Sequence, residues 1–194
     1  MKLVDLSRYG PVHRFADYHV YKTLAALADG RRKGRKQLAE AVGVGEGSMR
    51  TILESLRERD LIEVKQTGVV ISRRGTEFYN GFPIQSGIVT KSDASIGQVT
   101  VAVKIKGRGE RIKIGVEQRD AAVKAGAEGA TTIVVRNGTM MIPPDYNVDQ
   151  NMPDFAGELR GIFELRENDV IIIGTGLEYH QAEDGALAAA FELL

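Results

Sequence analysis

The residues with the clearest chemical role are the six at positions 31–36, Arg-Arg-Lys-Gly-Arg-Lys, because five of them carry a positive charge. Guanidinium and ammonium groups bind phosphate oxygens, and each such contact with a nucleic acid releases condensed counterions. Residues 1–83 hold fifteen Lys and Arg against ten Asp and Glu, whereas residues 84–194 hold eleven against sixteen. This asymmetry indicates that only the first half meets a polyanion, although single surface charges could equally be solvated.

The elements that would position these cations follow directly in the sequence. Apolar residues recur at helical spacing in residues 15–28, 35–42 and 47–59, and Gly43-Val44-Gly45 separates the last two segments. Two helices around a glycine-containing turn predict a helix-turn-helix. In that motif the second helix enters the major groove of DNA and the first braces it across the backbone.

A predicted hairpin comes after the third helix. Residues 61–64 and 69–71 flank the turn Lys65-Gln66-Thr67-Gly68, and Ser72 is placed to cap a fourth helix. The residues expected to touch DNA belong to the basic segment, the third helix and the hairpin with its exit: Arg31, Arg32, Lys33, Arg35, Lys36, Ser48, Arg50, Thr51, Lys65, Arg73 and Arg74.

Two stretches, LAEAVGVGEGSMRTILESLRERDLIEV and ISRRGTEFY, carry a family resemblance. Over residues 15–82 the chain resembles winged-helix transcription regulators of the multiple-antibiotic-resistance-regulator and iron-dependent-repressor kind. The resemblance implies binding to double-stranded DNA. Helix-turn-helix proteins commonly bind two half-sites as dimers, so a homodimer is expected. Winged helices also serve as protein-interaction modules, and an adaptor that does not bind DNA is therefore an alternative.

A second domain is predicted beyond residues 80–87, where glycine, proline and polar residues cluster. The expected domains are residues 1–84 and 85–194. In the second domain, predicted strands (96–106, 131–136 and 170–173 among them) interleave with helices without a βαβ repeat, so the fold class is α+β. The stretch VEQRDAAVKAGAEGATTIVVRNGTMMIP is similar to an archaeal group that joins a winged helix to a C-terminal domain of unknown function.

A candidate ligand site lies where the last predicted strand meets a final helix from residue 177. A turn at Gly174-Thr175-Gly176 would leave backbone N–H groups facing an anion, and Glu178 would lie on the following helix turn. Gly174, Thr175, Gly176 and Glu178 are therefore expected to bind a small anionic effector. The alternative is an ordinary strand-to-helix connection. The Ala-rich final helix could pack in a dimer or in the core of its own domain.

Several function classes are disfavoured. The chain has no cysteine, and His13, His19 and His180 have no partners at metal-ligand spacing. Because no catalytic motif is present, we expect neither an enzyme nor a metal or cofactor site. Without a membrane-length apolar run or an apolar leader, a cytoplasmic protein without membrane contact is expected. The sequence predicts a DNA-binding transcription regulator with an effector-sensing or dimerisation domain; the rival is an enzyme that carries a winged helix.

Overall fold

The computed structural model describes residue 3, residues 14–90 and residues 99–194. The chain divides into two compact units, Met1–Phe82 and Pro83–Leu194. His13 and the first three residues of the strand predicted at 96–106 lie outside the described residues. Within the described ranges, no helix has both the length and the apolar character needed to cross a bilayer.

The first unit is a winged helix-turn-helix, as predicted. Its elements are α1 (Asp17–Leu27), α2 (Arg35–Val42), α3 (Glu46–Glu58), β1 (Ile62–Lys65), β2 (Gly68–Ile71) and α4 (Arg73–Asn80). The apolar positions of the first three helices meet in one core, and the following side chains are fully buried: Val20, Leu24, Leu27, Leu38, Val42, Met49, Ile52 and Leu56.

The turn between α2 and α3 depends on Gly43, whose φ of 79° lies in the left-handed region. The amides of Gly43 and Val44 both donate to the Ala39 carbonyl at 3.0 Å, which closes the end of α2. Glycine adopts this conformation at little steric cost, so the chain reverses within three residues before α3 begins. This turn fixes the position of α3 against α2.

The wing, defined here as the hairpin β1–β2, pairs Ile62 with Ile71 at its base and Lys65 with Gly68 at its tip. A third segment joins its edge, because Lys33 and Val69 exchange backbone hydrogen bonds of 3.0 and 2.9 Å. Beyond the base, the Ser72 hydroxyl accepts from the Gly75 amide at 2.9 Å, so the predicted N-cap of α4 is confirmed.

The second unit is built on a six-stranded antiparallel sheet in the order β3-β4-β8-β5-β6-β7. Its elements are β3 (Ile84–Val89), β4 (Val99–Ile105), α5 (Val116–Lys124), β5 (Gly129–Arg136), β6 (Thr139–Ile142), β7 (Tyr146–Asn147), α6 (Val148–Asn151), α7 (Pro153–Ile162), β8 (Val170–Gly176) and α8 (Tyr179–Phe191). The predicted α+β class is confirmed. Strand β3 overlaps residues 80–87, where the sequence predicts the boundary between the two domains.

Helices cover both faces of this sheet. On one face α8 and α5 pack on the central strands, and four alanines of α8 are buried there: Ala182, Ala186, Ala189 and Ala190. On the other face α6 and α7 close a core of apolar side chains: Val89, Ala102, Ile133, Val135, Met140, Val148, Phe155, Ala156, Leu159, Phe163, Ile171 and Ile173. The small residues of the final helix therefore serve the core of their own unit.

The predicted turn at Gly174–Gly176 is wrong, because these residues form the buried end of β8. Gly174 pairs with Val101 on one side and with Ala130 on the other. A Cβ at Gly174 would lie 2.3 Å from the Ala182 carbonyl oxygen, so glycine here permits close packing of α8 on the sheet. The sequence predicts an open turn here, whereas Gly174 is a strand residue at which only glycine leaves room for α8.

The other atoms of the expected ligand site are also engaged within the protein. The Thr175 hydroxyl donates to the Gly129 carbonyl at 3.3 Å. The amides of Leu177 and Glu178 donate to the Gln181 side-chain oxygen at 3.0 and 3.4 Å. With its amides paired in the sheet or bound by Gln181, this segment presents no open anion cradle.

Candidate nucleic-acid interface

A groove of about 500 Å³ runs between α3 and the wing in the first unit. Four cationic side chains line it: Arg35 from α2, Arg50 and Arg57 from α3, and Lys65 from the wing. The apolar side chains of Leu53, Val64 and Val69 form part of its wall. The groove therefore combines an exposed helix face, a protruding hairpin and a concentration of positive charge.

The spacing of residues on α3 explains why its charged face lies in the groove. Met49, Ile52 and Leu56 are fully buried in the core. Arg50 and Arg57 lie seven positions apart, which is about two helical turns, so both side chains lie on one face. Because the opposite face of α3 is held by the core, this face is presented at a fixed orientation.

Ion pairs hold three of the four groove cations. Arg50 Nε lies 3.0 Å from Glu54 Oε1, Arg35 Nη2 lies 3.2 Å from Glu46 Oε2, and Lys65 Nζ lies 2.9 Å from Glu63 Oε2. All six side chains are at least 44% exposed. Exposed ion pairs contribute only about 0–1 kcal/mol, so a phosphate can replace the carboxylate at little cost.

The basic segment divides into structural and exposed cations. Arg32 Nη1 donates to the Thr67 hydroxyl at 2.6 Å, which places it beside the wing tip. Lys33 is bound inside the unit: its ammonium donates to the Ala26 carbonyl and to Asp29, and this ion pair lowers the pKa of Asp29. These bonds give Lys33 a structural role, while Arg31 and Lys36 are exposed.

Four other predicted residues lie outside the groove. Ser48 is half-buried, and the Thr51 hydroxyl donates to the Gly47 carbonyl of its own helix at 3.3 Å. Arg73 and Arg74 follow the base of the wing, at the opposite end of the hairpin from Lys65. Arg73 pairs with Glu77 at 3.0 Å and Arg74 with Asp60 at 3.5 Å.

Arg57 was missed by the sequence reasoning, although its spacing from Arg50 was available. The N-terminal half of a recognition helix usually reads DNA, and that rule directed attention to Ser48 and Thr51. Only the position of the wing shows that the groove continues along α3 as far as Arg57.

Metal ligation has no geometric basis in the part of the chain that the structure describes, where no three His, Asp or Glu side chains converge on a point that could hold an ion. His180 Nδ1 lies 4.0 Å from Glu183 Oε2, one turn along α8.

Comparison with solved structures supports the two-part fold. The hypothetical protein PH0730 from Pyrococcus horikoshii OT3 is 27% identical, with a TM-score of 0.72 over 90% of this chain and 91% of that chain. A complex of S. agalactiae BusR with its busAB-promotor DNA covers 92% of this chain and 98% of that chain, at 14% identity and a TM-score of 0.27. A score this low does not indicate a common fold. No curated protein matches the chain.

Two family descriptions match successive parts of the chain. The N-terminal domain described as PH0730-like matches residues 25–77. The family described as domain of unknown function DUF4443 matches residues 96–193. The predicted pairing of a winged helix with a C-terminal domain of unknown function is confirmed. Because the second match spans half of the chain, the chain belongs to the DUF4443 family.

Proposed function

We propose that the protein is a transcription regulator that binds double-stranded DNA through the groove between α3 and the wing. The observation that carries this proposal is the convergence of Arg35, Arg50, Arg57 and Lys65 on that groove. The sequence resemblance to winged-helix regulators of the multiple-antibiotic-resistance-regulator kind points the same way. In the bound state, α3 lies in the major groove and the wing follows the phosphate backbone.

The energetics of the groove favour a polyanion over a neutral partner. Each groove cation that exchanges an exposed carboxylate for a phosphate loses little and releases a counterion from the nucleic acid. We assign base-edge contacts to Arg50 and Glu54, since arginine donates to guanine and glutamate accepts from cytosine. Arg57 and Lys65 lie further along the groove and serve as phosphate contacts.

A matched pair of arginines tests the proposal. Arg50–Glu54 and Arg73–Glu77 are both exposed i, i+4 pairs at 3.0 Å, but only Arg50 lines the groove. We expect Arg50→Ala to weaken binding to a duplex selected from a random pool by about 1–3 kcal/mol. Arg73→Ala should leave binding unchanged. Fluorescence anisotropy on the full chain measures both, and circular dichroism checks that the variants fold.

The same assay separates DNA binding from the adaptor alternative, which the apolar wall of Leu53, Val64 and Val69 would favour. Equal losses for Arg50→Ala and Arg73→Ala would show that the groove is not the DNA interface. Failure of the selection to enrich any duplex, with no binding to random DNA at low salt, would overturn the proposal and leave a protein-binding groove.

The second unit is the effector-sensing or dimerisation part of the regulator in this proposal. The residues of its expected glycine loop form the end of β8, and most alanines of α8 are buried in its own core. A recess elsewhere in this unit has the properties of a ligand site.

A further inference from the structure

A recess of about 400 Å³ opens in the second unit beside β3, β4 and the segment that leads into β8. Lys104 of β4 lies at its wall, next to Gln85 of the neighbouring strand, with which it is paired in register. Lys106 and Arg166 contribute two more cations to its lining. The recess is separate from Gly174–Gly176, where the sequence predicted a ligand.

Lys104 is unusual because its side chain is only 3% exposed. Its ammonium donates to the Glu164 carbonyl oxygen at 2.7 Å and lies over the Phe163 ring at 5.9 Å. Burial lowers the pKa of Lys104, and the nearby carboxylate of Asp169 opposes this shift. An ammonium has three donors, so a single close hydrogen bond leaves most of its donor capacity unused.

Asp169 does not supply the missing acceptors. It is 4% exposed, and its Oδ2 lies 4.0 Å from Lys104 Nζ, beyond hydrogen-bond distance. Its two oxygens accept from the Gly107 and Arg166 amides, both at 3.0 Å. These bonds hold the carboxylate in the loops on either side, so it balances the charge of Lys104 without satisfying its donors.

The charges around the recess define what could fill it. Three cationic side chains and three carboxylates line it, so the lining has no net positive charge to match the two charges of a dianion such as phosphate. Arg166 is paired with Glu164 at 2.8 Å. The remaining donors are Lys104, Lys106 and the Gln85 amide, which suit one small group with two acceptor oxygens and a single negative charge.

We propose that this recess is a binding site for a small carboxylate ligand, whose carboxylate accepts from Lys104 at the wall and from Lys106 and Gln85 at the rim. The proposal concerns the second unit alone, so it holds or fails independently of the DNA contact. A buried, incompletely bonded lysine at the wall of a cavity is typical of a functional site.

The test uses the full chain with sodium propionate and L-alanine as carboxylate probes and inorganic phosphate as the dianion. With ¹³C-labelled lysine, we expect the Lys104 Cε resonance to shift saturably with a carboxylate probe, while that of exposed Lys113, outside the recess, stays constant. Lys104→Met keeps the length of the side chain and removes its donors. It should weaken binding at least about tenfold by calorimetry, whereas Lys113→Met should not change it.

Three results would overturn the assignment. One is the absence of a saturable Lys104 shift with either carboxylate in the wild-type chain, a measurement that does not depend on any variant folding. Another is equal carboxylate affinity in the wild type and in folded Lys104→Met. The third is tighter binding of phosphate than of both carboxylates, which would contradict the charge argument.

Discussion

At the scale of single residues, exposure determines what the cations of this protein can do. The Arg50 side chain is 69% exposed and its carboxylate partner can be exchanged, whereas the Lys104 side chain is only 3% exposed. The first environment lets an exposed arginine exchange its carboxylate partner for an acceptor group on DNA. The buried environment of Lys104 makes each N–H donor without an acceptor costly, so it favours a ligand that supplies acceptors.

The depressed pKa of Lys104 predicts a pH dependence of stability. Burial lowers this pKa below 10.5, so just below pH 10.5 the unfolded chain binds more protons at this residue than the folded chain. The free energy of unfolding of the wild type should therefore rise, relative to that of Lys104→Met, as the pH increases towards 10.5. Urea denaturation at several pH values measures this difference. Parallel curves for the two proteins would contradict the assignment of the shift to Lys104.

Tyr179 gives a second prediction. Partial burial and then Glu183, whose carboxylate accepts from the phenol at 3.1 Å, raise the pKa of Tyr179 to about 12. An acid with a raised pKa in the folded state stabilises the fold below pH 10, and this stability is lost as the pH rises towards 12. Ultraviolet titration, with Tyr179→Phe as the reference, should show late ionisation in the wild type and earlier ionisation in Glu183→Gln. An unchanged midpoint in Glu183→Gln would exclude a role for that carboxylate.

At the scale of elements, Gly174 shows how close packing fixes the second unit. A Cβ there would approach the Ala182 carbonyl oxygen to 2.3 Å and the Ala186 Cβ to 2.9 Å, so α8 would have to move away from the sheet. We expect Gly174→Ala to lower the free energy of unfolding by about 1–3 kcal/mol or more.

Gly161→Ala on α7 is the matched control, because nothing lies within 4 Å of its added methyl group. It should be neutral or stabilising, since alanine favours the helical conformation over glycine. Chemical denaturation of both variants measures the contrast. Equal stability of the two would show that α8 does not pack on β8 as described.

The elements that could be predicted from the sequence are those specified by local signals. The helical periodicity of residues 35–42, the cap at Ser72 and the wing turn all depend on neighbouring residues, and all three are present. Strand β3 and the end of β8 depend on partners far along the chain, so local signals at their glycines and polar residues predict loops instead. The sequence does not predict the roles of Arg57 and Lys104 for the same reason, because each role depends on contacts between segments that are distant in the chain.

At the scale of the whole molecule, charge is divided between a basic and an acidic half. The described elements of the groove and the wing lie in the basic half, together with the exposed cations of residues 31–36. Such a division directs a polyanion to one unit and keeps the other away from it. DNA affinity should therefore depend on the number of cations in the first unit and not on the total charge of the chain.

The salt dependence of DNA binding tests this division. Arg31 is exposed and Arg32 lies beside the wing tip, whereas Lys33 is left unchanged because it supports the fold. If both arginines contact phosphates, replacing the two by alanine should reduce the slope of log K against log salt by about 1 for each. The control replaces Lys113 and Lys124, two exposed cations of the acidic half, and removes the same charge from the chain. Anisotropy titrations between low and moderate salt should show a smaller slope only for the arginine variant. The same reduction in both variants would mean that net charge alone controls binding, and that residues 31–36 make no direct contact with the DNA phosphates.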